Sequence, residues 1–280
     1  MKSYSIILCI AAFLSSSIIY AQEATATNGK FVNVNGCKIY YEETGQGEPL
    51  LLLHGFGQTA SYWRTFTPEF SKKYRVIAWD MRGHGRSTNP DTTIAFLHAN
   101  VARDLLAFID ALHLDKVKAI GLSSGAITLL YASSMKPEKF DAIVPVAGQI
   151  YYSNQVRDFI SRNSAPEWSY KFFNYETTHG KVKGTLLARQ FYNFRMLTGD
   201  PSITPYDLSQ IKARTLIVHG DNDFVPVSQA WEMYQNIPNA RLWISPNGWH
   251  VPIEGPNMAD FISRTSEFLN GDWNKSNFPK

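Results

Sequence analysis

The 280-residue chain has only two cysteines, Cys9 and Cys37, so no disulfide framework holds it and its stability must come from a buried core. Charged residues are few, at 18%, the net charge is only +3, and no basic run occurs, which excludes the footprint of a nucleic-acid binder. C-x-x-C and H-E-x-x-H patterns are missing and the histidines have no metal-ligand spacing, so neither a metal nor another cofactor is expected. Also missing are internal repeats, low-complexity tracts and an unbroken apolar run of the ~20 residues that a spanning helix needs. The chain has hydrophobic residues at 44% and aromatics at 14%, in a length that suits one large core.

The first residues, MKSYSIILCIAAFLSSSIIYAQ, place Lys2 before an apolar stretch from Ile6 to Ala12 that continues loosely to Ile19 and is interrupted by Ser15, Ser16 and Ser17. This is the layout of a signal peptide, and cleavage is expected after Ala21. A retained N-terminal anchor is the alternative. The expected location is therefore secreted or periplasmic, with Cys37 as the one remaining thiol. Oxidising compartments permit disulfides without requiring them.

Beyond the leader, FVNVNGCKIYYEETG reads as two strands around Asn35-Gly36, a dipeptide that accepts the positive φ values of a tight hairpin. Short apolar runs follow at Leu50 to His54, Tyr74 to Trp79, Val117 to Gly121, Ala142 to Ala147, Thr215 to His219 and Ala240 to Ile244. Strands buried on both faces have this pattern. Helical stretches lie between them, the clearest from Asn100 to Leu112, where Val101, Leu105, Phe108 and Leu112 form one apolar stripe. Alternation of this kind calls for a mostly parallel central sheet with helices on both faces, its reactive groups on loops past the carboxyl ends of the strands.

One region breaks the alternation. Between residues 149 and 205 no strand-like run appears and aromatics crowd together, among them Tyr151, Tyr152, Trp168, Phe172, Phe173, Tyr175, Phe191 and Phe194. It is too long for a plain loop and is expected to be a helical lid, most of its aromatics forming its own small core and some facing a ligand cavity. The lid divides the expected core into residues 22–148 and 206–270, and residues 271–280 are expected to be a loose tail.

Gly121-Leu122-Ser123-Ser124-Gly125 follows a strand and precedes a helical stretch from Ala126 to Met135. In that setting a G-x-S-x-G sequence makes a sharp turn that lifts the Ser123 hydroxyl out of the sheet, where larger side chains than glycine would collide. An ordinary Gly/Ser turn is the plainer alternative. A serine hydroxyl needs a base to take its proton and a third group to orient that base. Asp221, Asp223 and His250 follow later strands, on the same edge as Ser123, and in the order Ser, Asp, His.

With these residues in place the chain resembles the α/β-hydrolase family over nearly all of its length beyond the leader. His54-Gly55-Phe56-Gly57 is similar to the family's HGxG loop, Asp80 to Ser87 to its D-x-R-G-x-G-x-S turn, and Gly220 to Pro226 to its acid loop. The resemblance implies an α/β-hydrolase fold with a helical lid. It implies Ser123 as nucleophile, His250 as base and Asp223 as acid, with Asp221 the alternative acid. The oxyanion donors would be the backbone N–H groups of Phe56 and Ser124, with the Phe56 ring as a pocket wall. His54 would hold its loop, and Asp80, Arg82 and His84 would stabilise the turn beneath the site. Epoxide hydrolases and haloalkane dehalogenases of this family carry Asp where Ser123 stands. Proline iminopeptidases flank their serine with Gly and Trp, in contrast to Leu122 and Ser124.

The expected function is an exported serine hydrolase that cleaves an ester or related acyl compound of modest size through an acyl-enzyme, its partner being a small-molecule substrate. A carbon–carbon bond hydrolase, enol-lactonase or perhydrolase would use nearly the same residues. A non-catalytic small-molecule binder on the same scaffold is the rival from another class, disfavoured because a receptor gains nothing from an aligned Ser, His and Asp.

Overall fold

Asn35 and Gly36 take φ values of 47° and 77°, turning β1 (Gly29–Val34) back onto β2 (Cys37–Thr44) as the Asn-Gly dipeptide predicts. In this computed structural model, which describes residues 29–161, 165–196 and 199–275, the hairpin begins an eight-stranded sheet of order β1-β2-β4-β3-β5-β6-β7-β8. The other strands are β3 (Glu48–Leu53), β4 (Tyr74–Trp79), β5 (Val117–Leu122), β6 (Phe140–Val146), β7 (Arg214–Gly220) and β8 (Ala240–Ser245). Each of the six apolar runs is one of these strands. All six are mutually parallel, and β2 joins them antiparallel along β4.

Strand side chains alternate between two cores. Leu51 and Leu53 point into one with Ile77, Trp79, Ala119 and Ile143, whereas Leu50 and Leu52 point into the other with Val76, Ala78, Ile120 and Val144. Both faces are therefore covered, which explains why the strands are apolar throughout. A 3-10 turn at Ala60–Thr65, α1 (Thr67–Phe70) and α10 (Met258–Leu269) cover one face through Trp63, Phe70 and Phe261. The other face is covered by α2 (His98–Ala111), α3 (Ser124–Met135) and α9 (Val227–Asn236). The apolar stripe read from Val101, Leu105 and Phe108 is the buried side of α2.

Between β6 and β7 the chain leaves the sheet for α4 (Asn154–Ser161), α5 (Pro166–Phe172), α6 (Tyr175–His179) and α7 (Lys181–Met196), before α8 (Pro205–Gln210) returns to it. An antiparallel bridge between Tyr151 and Ser202 closes the base of this insertion. Part of the expected tail, residues 271–275, is described. Asp272–Lys275 forms a 3-10 turn, because the Trp273 ring packs against Phe268 and its indole N–H donates to Glu267. The expected leader, residues 1–21, lies outside the described residues, as do 276–280. Among the described residues no helix is long and apolar enough to cross a membrane.

Phe261 is fully buried between Phe66, Phe70 and Trp243, on the face away from the aromatic insertion. Phe261→Ala is expected to lower the unfolding free energy by about 3–5 kcal/mol. Urea denaturation checks this as a lower midpoint at unchanged slope, with turnover per folded molecule unaltered.

Candidate active site

The turn from β5 into α3 holds Ser123 at φ 52° and ψ −115°, a left-handed backbone that a non-glycine residue keeps only when its surroundings force it. The forcing contacts are close. A Cβ on Gly121 would lie 2.5 Å from the Gly125 carbonyl oxygen, and a Cβ on Gly125 would lie 2.2 Å from that of Leu53. Only glycine lets β3, β5 and the start of α3 approach in this way. The Ser123 N–H also donates to the Val146 carbonyl at 2.9 Å, tying the turn to β6.

The Ser123 hydroxyl meets Nε2 of His250 at 2.9 Å, although 127 residues separate them. Nδ1 of the same ring lies 3.0 and 3.1 Å from the two carboxylate oxygens of Asp223. A carboxylate only accepts, so Nδ1 carries the proton and Nε2 is left to accept the Ser123 hydroxyl proton. The Asp223 side chain is fully buried, whereas the His250 side chain is 17% exposed and so within reach of a ligand. Asp221, the alternative acid, is exposed and accepts the Gly248 N–H at 3.1 Å instead. Asp223 itself accepts the Val225 N–H at 3.0 Å, and buried His219 donates to the Val225 carbonyl behind it.

The His54-Gly55-Phe56-Gly57 loop is held by hydrogen bonds from below. His54 accepts the Met81 N–H at 3.0 Å through Nε2 and donates to the Gly55 carbonyl through Nδ1. The Phe56 ring, expected as a pocket wall, is 7% exposed and packed among His84, Phe96, Phe191 and Phe194, which makes it part of the core. Asp80 accepts the backbone N–H groups of Ala60 and Arg86, and Arg82 grips Asp104 with two guanidinium nitrogens. Burial pushes the Asp80 carboxyl above its ordinary range, against the pull of those two donors.

Sequence reasoning missed the braces that the insertion supplies. His179 of α6 donates to the Gly57 carbonyl at 2.8 Å and accepts the Gly85 N–H at 2.9 Å, and Lys183 of α7 donates to the carbonyls of Gly85 and Ser87. It also missed that His98 meets the Ser124 hydroxyl. No local signal announces such partners, because none follows from periodicity or spacing.

Burial pushes His54 and His179 each down to about 4, and takes His84 well below the ordinary histidine value of 6.5. The unfolded chain therefore holds more protons on these groups below pH 6.5, and stability present above that pH is lost as it falls toward 4. His54 alone accounts for a loss on the order of 3 kcal/mol at the acid end. Urea denaturation from pH 7 to 4 reads this out, and a flat profile would contradict neutral buried rings.

The family model described as the α/β hydrolase fold matches residues 48–171. Over 265 residues the chain is 30% identical to 2-hydroxy-6-oxo-6-(2'-aminophenyl)hexa-2,4-dienoic acid hydrolase of Metapseudomonas resinovorans, covering 86% of this chain and 90% of that one. It is 29% identical to serine hydrolase BPHL of Homo sapiens, across 81% of both. Among solved structures it is similar to the CarC enzyme, a serine hydrolase involved in carbazole degradation, with a TM-score of 0.71 at 27% identity, covering 88% of this chain and 99% of that one. Sheet order, strand-edge loops and relatives matched along nearly their whole length agree, so this chain belongs to the α/β-hydrolase fold family and is an enzyme of the hydrolase class.

Proposed function

We propose that the protein is a serine hydrolase that cleaves an ester or related acyl compound of modest size, with Ser123 as nucleophile, His250 as general base and Asp223 as its orienting acid. The observation that carries the reading is the continuous chain from the Ser123 hydroxyl through His250 to Asp223, with contacts of 2.9 and 3.0 Å. Its chemistry follows from those contacts. Ser123 attacks the carbonyl carbon as Nε2 takes its proton, and the imidazolium that forms is stabilised by the Asp223 carboxylate. The oxygen that gains charge is received by the backbone N–H groups of Phe56 and Ser124. His250 returns the proton to the leaving group, and then activates the water that hydrolyses the acyl-enzyme.

The insertion from α4 to α7 acts as a lid in this reading, supported by the way Phe191 and Phe194 pack on Phe56 while His179 holds Gly57. A second reading, carbon–carbon bond hydrolysis, draws support from the Metapseudomonas resinovorans relative, whose name specifies a 2-hydroxy-6-oxo dienoic acid. Export is part of the proposal and rests on the Lys2-led apolar leader.

Ser123→Ala is expected to lower kcat on p-nitrophenyl esters by roughly 10³- to 10⁶-fold, and turnover near the wild-type rate would remove Ser123 from its role. Asp223→Asn should harm kcat far more than Asp221→Asn; the reverse order would move the acid. A series of p-nitrophenyl esters of increasing chain length, run beside a 2-hydroxy-6-oxo dienoate, separates the two readings by their kcat/KM. N-terminal sequencing of the exported protein should begin at Gln22.

A further inference from the structure

Ser124, next to the proposed nucleophile, has its own histidine and aspartate. Its hydroxyl lies 2.9 Å from Nε2 of His98, and Nδ1 of His98 meets the Asp200 carboxylate. The same carboxylate oxygen accepts the His98 backbone N–H at 2.9 Å, and so caps the first turn of α2 from 102 residues away. Ser124, His98 and Asp200 are 3%, 0% and 7% exposed. With Asp200 accepting, His98 carries its proton on Nδ1 and the Ser124 hydroxyl donates to Nε2. Two adjacent serines thus each donate into a His–Asp pair, one at the half-buried site and one inside the protein.

Burial decides what the inner set does. A hydroxyl this enclosed cannot reach a substrate, so Ser124 is no second nucleophile. Its backbone N–H, however, belongs to the first turn of α3, where amide groups lack intrahelical acceptors and lie at the positive end of the helix dipole. A buried polar chain is weak as a source of stability, since apolar groups of the same shape do as well or better. Fully satisfied, it fixes one geometry. His98 also stands edge-on to Phe96 at 5.3 Å and to Phe194 at 5.0 Å, and those two rings lie 4.9 and 5.1 Å from the ring of Phe56. The Ser124 side chain therefore meets His98 directly, and the Phe56 ring is linked to it through Phe96 and Phe194.

We infer that Ser124, His98 and Asp200 form a buried positioning relay that orients the Ser124 backbone N–H, and through Phe96 and Phe194 the Phe56 loop, toward the oxygen that gains charge during acyl transfer. The inference rests on the serine-hydrolase reading above. His98 and Asp200 act through Ser124 and touch no reacting atom. Asp200 lies between α7 and α8, so the relay also ties the end of the insertion to the nucleophile turn.

The test uses the full-length enzyme with a p-nitrophenyl ester, active sites counted by a fluorophosphonate, and phenylboronic acid as a tetrahedral analogue. Ser124→Ala and Asp200→Asn should each lower kcat per counted site about tenfold, less than the loss of a whole oxyanion donor, with KM within about threefold. Phenylboronic acid should weaken by a similar factor, and Ser124→Thr, which keeps a hydroxyl, should restore most of kcat. A merely structural role would lower the number of counted sites and the Tm while leaving kcat per site and boronate affinity at wild-type values. That result for Ser124→Ala would overturn the inference, whatever the folding of Asp200→Asn. An active Ser123→Ala would instead overturn the serine-hydrolase reading beneath it.

Discussion

A serine hydroxyl is a poor nucleophile without a base to take its proton, and the proposed mechanism turns on the hydrogen bond of 2.9 Å from Ser123 to His250. Its ends are far apart in the chain and lie beyond β5 and β8, which two other strands separate in the sheet. Parallel pairing solves the problem, because β5, β7 and β8 all deliver their carboxyl ends to one edge. The left-handed Ser123 backbone is the local cost, and the close approach of Gly121 and Gly125 to neighbouring carbonyls keeps it from relaxing.

Irregular backbone crowded beneath such a site leaves many amide and carbonyl groups without sheet or helix partners, and each must find one. Side chains supply them. Asp80 receives two backbone N–H groups, His54 one, and His179 and Lys183 reach across from the insertion to Gly57, Gly85 and Ser87. Histidine suits this work because the neutral ring donates at one nitrogen and accepts at the other. Burial keeps His54, His84 and His179 neutral, so the loops are held by a set of uncharged rings.

Adjacent serines donating into separate His–Asp pairs show how exposure separates chemistry from support. His250 is reached by solvent and moves protons in the proposed mechanism, whereas His98 is sealed by Phe96 and Phe194 and holds geometry. The aromatics that crowd the insertion serve mainly as packing. Tyr175 and Phe194 are buried, Phe191 stacks on Phe56, and Trp168 and Phe173 remain at the surface.

The amino-acid sequence alone determined the Asn35-Gly36 hairpin, the six parallel strands, the apolar side of α2 and the turn at Ser123, because burial on two faces, a 3.6-residue period and positive φ all leave local marks. It also put the candidate acid at Asp223, with Asp221 as the alternative, through the likeness of Gly220 to Pro226 to the family's acid loop. The tertiary structure brought Asp223 to His250 and turned Asp221 toward Gly248. It alone packed Phe56 into the core, ordered the turn at Trp273, and joined Ser124 to His98 and Asp200. Those pairings depend on where separate elements come to rest against one another, and a contact across a hundred residues has no repeat that a linear pattern could carry.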